Sequence, residues 1–122
     1  MMNIEINGKN IRVKLYENSS AEAVRELLKK GPFTIRMKDY AHMEKFGSFG
    51  MDLPVNDERI TTAPGDVILS EGNLLVIYYA PNTWNFTRLG MVQGLSAEEL
   101  KKALGEGSIT ATLTLSEEEK TL

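Results

Sequence analysis

TIRMKDYAHMEKFGSFGMDLPVNDERITTAPGDVILSEGNLLVIYYA, residues 34–80, holds the longest irregular sequence of this 122-residue chain between two strand patterns. At its end, Leu74-Leu75-Val76-Ile77-Tyr78-Tyr79 is apolar on both faces, which predicts a central strand with cover on each side. At its start, Phe33, Ile35 and Met37 alternate with Thr34, Arg36 and Lys38, the pattern of a strand with one buried face. From Asp39 to Ala63 the alternation breaks. Gly47, Gly50 and Pro54 punctuate this segment, which reads as a long excursion with at most short extended pieces. Pro64-Gly65-Asp66 then turns into a short strand, Val67-Ile68-Leu69, and Glu71-Gly72-Asn73 turns again. Compact domains seldom keep a long structured loop without a use for it.

Before this stretch, Ile4, Ile6, Ile11, Val13 and Leu15 alternate with polar residues around Asn7-Gly8-Lys9-Asn10, giving a β-hairpin. Matched apolar pairs favour Gly8-Lys9 as its loop, with Ile6 opposite Ile11, Ile4 opposite Val13 and Met2 opposite Leu15. Ser19-Ser20-Ala21-Glu22 reads as a capping box with Ser19 as the cap. Ala23, Val24, Leu27 and Leu28 line one face of the helix it opens, and Gly31-Pro32 ends it.

After the stretch, Phe86 to Val92 reads as a strand in which Gly90 marks a bulge or a close backbone approach. Ser96 to Glu99 is a second capping box, and Leu100, Ala103 and Leu104 form the apolar face of its helix, which Gly105 ends. Ile109, Ala111, Leu113 and Leu115 alternate with threonines, the clearest strand in the chain.

One domain over 1–115 with a charged tail at 116–122 is expected, and at this length a single core can bury roughly 65% of the unfolded surface. With 42% hydrophobic and 25% charged residues the composition is that of a globular chain. The net charge is −3 with the two signs interspersed, so no field or basic stripe predicts nucleic-acid binding. There is no cysteine, which excludes disulfides, thiolate catalysis and Cys-containing metal sites. No apolar run has the length of a signal peptide or a membrane span, so a cytoplasmic protein without membrane contact is expected.

A mainly β fold follows. Many short strands with two intervening helices suit a closed barrel with a helix, 19–30 or 96–104, plugging each open end, and closure removes exposed strand edges.

Chemistry-bearing residues are few. His42 is the single histidine. One imidazole with two nearby carboxylates, Asp39 and Glu44, is a weak signal for a metal, because a typical catalytic zinc site needs three protein ligands in a strict geometry, though general acid–base work by His42 stays open. Phosphate-loop, dinucleotide and nucleophile-elbow motifs are missing, so neither a metal nor a cofactor is expected. Tyr40, Met43, Phe46, Phe49 and Met51 form the conspicuous set. Such residues either fold inward as a satellite core or wall a groove for a small molecule or peptide. Trp84 and Phe86 would face that groove, and Arg36 and Arg88 would anchor a carbonyl or carboxylate. The candidate groove comprises Arg36, Tyr40, Glu44, Phe46, Met51, Trp84 and Arg88.

The chain resembles the bacterial cyclophilin-like domain family. The resemblance rests on Asn7-Gly8-Lys9, Asn18-Ser19-Ser20-Ala21, Asp39-Tyr40-Ala41 with Glu44-Lys45, Leu53-Pro54, Pro64-Gly65-Asp66-Val67, Leu74 to Tyr79 and Arg88-Leu89-Gly90. It implies an eight-stranded barrel capped by two helices. True cyclophilins are peptidyl-prolyl isomerases that polarise the prolyl amide with an arginine beside an apolar pocket. Their Phe-His-Arg strand, Gln-Gly-Gly-Asp segment and aromatic pocket motif are missing here, so no catalytic role is carried over to Arg36. Three readings follow in order: a small-molecule or peptide binding module, a weak prolyl isomerase, and a structural or self-associating domain; a monomer or homodimer is expected.

Overall fold

The computed structural model describes residues 1–116; the tail expected at 116–122 lies, apart from Ser116, outside the described residues. Nine strands and two helices succeed one another: β1 (Met2–Ile6), β2 (Lys9–Leu15), α1 (Ser19–Lys29), β3 (Phe33–Tyr40), β4 (Glu44–Ser48), β5 (Glu58–Thr61), β6 (Asp66–Ser70), β7 (Leu74–Tyr78), β8 (Thr83–Val92), α2 (Ala97–Leu104) and β9 (Ile109–Leu115). Eight of the strands close a barrel in the order β2-β1-β9-β3-β4-β7-β6-β8, and β8 returns to β2. Every pairing is antiparallel. β5 stands outside the barrel, paired to the first half of β8.

Alternation sorts the side chains. Met2, Ile4, Ile11, Val13, Ile35, Met37, Leu75, Ile77, Ala111 and Leu113 point inward to one interior core. α1 adds Ala21, Val24 and Leu28 to it, and α2 adds Leu100, Ala103 and Leu104. β7 fulfils the reading of a strand covered on both sides: Leu75 and Ile77 face the interior, while Val76 and Tyr78 face a second cluster with Ile60, Ile68 and Phe86. That outer cluster lies under the ribbon formed by β5 and the first half of β8, with Phe46 packed against it.

Three expectations are corrected. The N-terminal hairpin turns at Asn7-Gly8, so Ile6 faces Lys9, Ile4 faces Ile11 and Met2 faces Val13. The two registers differ by two residues and keep the same residues inside, so the pleat cannot choose between them. Turn chemistry chooses. Asn7 (φ 51°) and Gly8 (φ 78°) both adopt the left-handed conformation of the primed two-residue turn, which matches the twist of the strands.

α1 is capped by Asn18, whose side chain accepts from the Ala21 amide at 2.8 Å, rather than by Ser19. The serine hydroxyls turn elsewhere: Asn56 Nδ2 donates to Ser19 at 2.8 Å and Ser20 at 2.9 Å, and Ser20 donates to the Pro54 carbonyl.

The long excursion is in large part sheet. β4 is the eighth barrel strand and hairpins with β3, and β5 adds the outer ribbon. β4 hides from a periodicity reading because its inward residues are Lys45 and Gly47 while Phe46 points outward. Gly47 is needed there, since a Cβ would sit 2.6 Å from Ile35 Cγ2. The irregular remainder, residues 49–57, is fastened at several points. The Phe49 amide donates to Asn73 and the Leu53 amide to Gly72, each at 2.8 Å. The Asn56 amide donates to Thr87 Oγ1, which donates on to Asp57.

Candidate functional site

Three segments meet at the end of the barrel where α2 sits. The β3–β4 connection is the three-residue turn Ala41–Met43, with the Met43 amide donating to the Tyr40 carbonyl at 2.9 Å. Ala41 (φ 52°) and His42 (φ 54°) both lie in the left-handed region, where alanine is disfavoured by roughly 1–2 kcal/mol. The Tyr79 amide donates to the Met43 carbonyl, which fixes the end of β7 against this turn. The third segment is Gly105–Gly107, which leaves α2 through two glycines at φ 72° and 68°.

Between them lies a charged group assembled inside the barrel wall. Asp39 and Lys45 are direct partners across the β3–β4 ladder. Lys45 has no exposed surface; its Nζ stands 3.2 Å from Asp39 Oδ1 and donates to the Gly107 carbonyl at 2.7 Å. The Tyr79 hydroxyl donates to Asp39 Oδ1, and the His42 amide donates to Asp39 Oδ2 at 3.3 Å. His42 Nδ1 lies 3.6 Å from the same oxygen, with the imidazole itself almost fully exposed.

Burial disfavours the Asp39 charge, but the hydrogen bonds from Tyr79 and Lys45, the Lys45 charge and the His42 amide outweigh it. The carboxyl is held below the usual aspartate range. Burial, reinforced by the Asp39 carboxylate, pushes the Tyr79 phenol up. The phenol is therefore a proton donor to Asp39, not a base.

Above this group opens a cavity of about 880 Å³. Asp39, His42 and Tyr79 line one side, Lys101, Lys102 and Gly105–Gly107 another, and Lys9 of the first hairpin reaches the rim. Among the described residues no group of three or more His, Cys, Asp or Glu side chains has the placement to hold a metal.

The seven candidate groove residues lie elsewhere. None lines this cavity. Arg36 is exposed on β3, between the inward-facing Ile35 and Met37. Arg88 is exposed on the outer side of β8, its Nε 3.1 Å from Glu58 Oε1. Tyr40 is 57% exposed and leans edge-on against Phe46, whose ring centroid is 6.4 Å away. Glu44 is buried beside Tyr78 on the outer face; burial raises its carboxyl, the Tyr78 hydroxyl counters this and Asp39 adds to it. Tyr78 in turn is pushed up to about 12, chiefly by burial. Trp84, 60% exposed, stands opposite Ile60 on the outer ribbon. Met51 is exposed in the 49–57 segment. The conspicuous aromatic set thus divides: Phe49 joins the interior core against Phe33, Phe46 borders the outer cluster, and Tyr40 faces outward.

The pairing order, the helix at the α2 end and the covered outer face together define the architecture. The sequence matches the model of the cyclophilin-like family over residues 4–116. The chain belongs to the cyclophilin-like family. Among curated proteins and among solved structures there is no significant match. Within this cyclophilin-like chain, sequence reading missed Lys45, Tyr79 and the Gly105–Gly107 segment as site residues. Asp39 and His42 are named there, with Glu44, as a weak metal or proton-relay signal. The available signal was a lysine at an inward strand position opposite an aspartate, and it becomes readable only once β4 is known to be a strand.

Proposed function

We propose that this cyclophilin-like protein is a small-molecule binding module whose ligand occupies the cavity at the α2 end. The observation that carries the reading is that cavity: about 880 Å³ above a fixed Asp39–Lys45–Tyr79 group, within the roughly 300–1,000 Å³ typical of ligand pockets. Its polar groups are held before any ligand arrives, because Asp39 already receives three donors: Lys45 of β4, the Tyr79 hydroxyl just past β7 and the His42 amide of the β3–β4 turn. A preset site loses less conformational entropy on binding.

A peptide reading keeps one supporting observation, the exposure of Tyr40 and Trp84 around the outer cluster. The isomerase reading draws less support. It calls for an arginine beside an apolar pocket, and Arg88 is engaged by Glu58 while Arg36 stands in solvent on the outside.

Amide NMR spectra of the labelled protein, recorded against a broad panel of small metabolites and a proline-containing peptide, separate these readings. Shifts at Lys9, His42, Tyr79 and Gly105 are expected from a member of the metabolite panel. Shifts from the peptide at Tyr40, Phe46 and Trp84, with the cavity amides unmoved, would replace the proposal with the peptide groove. Acceleration of prolyl isomerisation in a protease-coupled assay would reinstate the enzyme reading.

A further inference from the structure

We infer that the ligand of the α2-end cavity carries a single carboxylate or phosphate group, seated between the lysines of α2 and the Gly105–Gly107 segment. This rests on the reading of that cavity as the binding site. Lys9, Lys101 and Lys102 reach it from two separate elements, and among the described residues none of their ammonium groups has an ion-pair partner. Lys29 and Lys45 are paired, with Glu26 at 2.9 Å and with Asp39; Lys14, Lys30 and Lys38 are as open as the cavity lysines, which differ from them in converging on one cavity. The last turn of a helix favours cations, which holds Lys101 and Lys102 in place and leaves their donors open to a ligand.

The backbone supplies a second set of donors. The Gly105 amide is taken by the Lys101 carbonyl, but no described residue accepts from the amides of Glu106 and Gly107. These two amides follow Gly105 (φ 72°) in succession, and Gly107 has φ 68°; consecutive backbone amides without an acceptor are donors that an anion can take. The floor does not repel an anion, because the Asp39 charge is neutralised by buried Lys45. Glu98 and Glu106 also line the cavity and oppose negative charge, against three ammonium groups. The balance accommodates one anionic group rather than several. His42, on the facing side, completes the polar lining.

The test titrates the labelled protein separately with inorganic phosphate, acetate, glycerol and tetramethylammonium at constant ionic strength. Phosphate or acetate is expected to shift the amides of Lys101, Lys102, Glu106 and Gly107, and whichever does so identifies the source of the charge. The K101E/K102E variant is expected to weaken that binding by about tenfold or more while leaving the remaining amide spectrum in place. Both lysines are exposed, so their replacement removes nothing from the core, and the remaining amide spectrum reports whether the fold is kept. Equal or stronger shifts from glycerol or tetramethylammonium would overturn the anionic assignment and leave the cavity reading standing. Phosphate and acetate shifts unchanged in K101E/K102E, or spread evenly over lysines outside the cavity such as Lys14 and Lys38, would also overturn it. So would silence from both anions; the cavity reading itself then stands or falls on the metabolite panel.

Discussion

Lys45 brings a charge into a position without solvent contact, where Asp39 and the Gly107 carbonyl receive it. A buried ion pair adds little net stability over an apolar substitute, but removing one partner strands the other. Lys45→Met leaves the Asp39 carboxylate facing the barrel interior without its counter-charge. Urea unfolding is expected to show a loss of about 3–5 kcal/mol, and Asp39→Asn in the same chain is expected to restore part of it. The Asp39 carboxyl is lowered in the fold, so its contribution is present above the unfolded-state value of about 4 and is lost as pH falls through the lower folded value. The urea midpoint of the parent should therefore drop on going from neutral pH to about pH 3 more than that of Asp39→Asn. An equal drop in both would show that Asp39 does not carry the acid sensitivity. Residue-scale features of this kind were only partly legible. Asp39 and His42 stand out in the sequence, whereas Lys45 looks like a solvated lysine until its strand is placed.

At the scale of elements, two glycines illustrate different demands. Gly90 lies where β8 closes the barrel on β2, opposite Leu15 on one side and Val67 on the other. A Cβ there would meet the Lys14 carbonyl at 2.6 Å and Val13 Cγ1 at 2.7 Å, and the β6–β8 ladder shifts register beside it. The sequence reading of Gly90 as a bulge or a close approach is met on both counts. Gly8 has open space around it but φ 78°. Gly8→Ala is expected to cost about 1–2 kcal/mol from backbone strain alone. Gly90→Ala must move backbone at the seam and is expected to cost more, about 3 kcal/mol. Chemical denaturation of both variants checks the order, and a Gly90→Ala cost at or below that of Gly8→Ala would contradict the tight seam. Element types and most boundaries were readable wherever apolar residues point inward. β4 was not, because Phe46 packs, partly buried, against the outer cluster while the interior accepts Lys45 and Gly47.

For the whole molecule, the interior core and the outer cluster share a wall, since β6 and β7 contribute to both. The barrel is expected to unfold as one unit. The single tryptophan, however, sits outside it at 60% exposure on the ribbon. Trp84 emission is therefore expected to change little in wavelength on unfolding and to be readily quenched by acrylamide in the native state, while far-UV circular dichroism reports the full transition. A large red shift on denaturation would show Trp84 to be covered in solution. No described helix is long and apolar enough to cross a membrane.

The sequence by itself determined the strand and helix inventory outside residues 39–63, the second helix cap, the doubly covered β7 and the cyclophilin-like family. All of these follow from local periodicity, capping chemistry and residue order. Only the tertiary structure decided the hairpin register, the place of β4 and the position of the candidate site. The register depended on which residues accept positive φ, because both alternatives bury the same side chains. The site depends on Asp39, Lys45, Tyr79 and Gly107 meeting at one barrel end, and their separation along the chain hides that meeting from any local pattern.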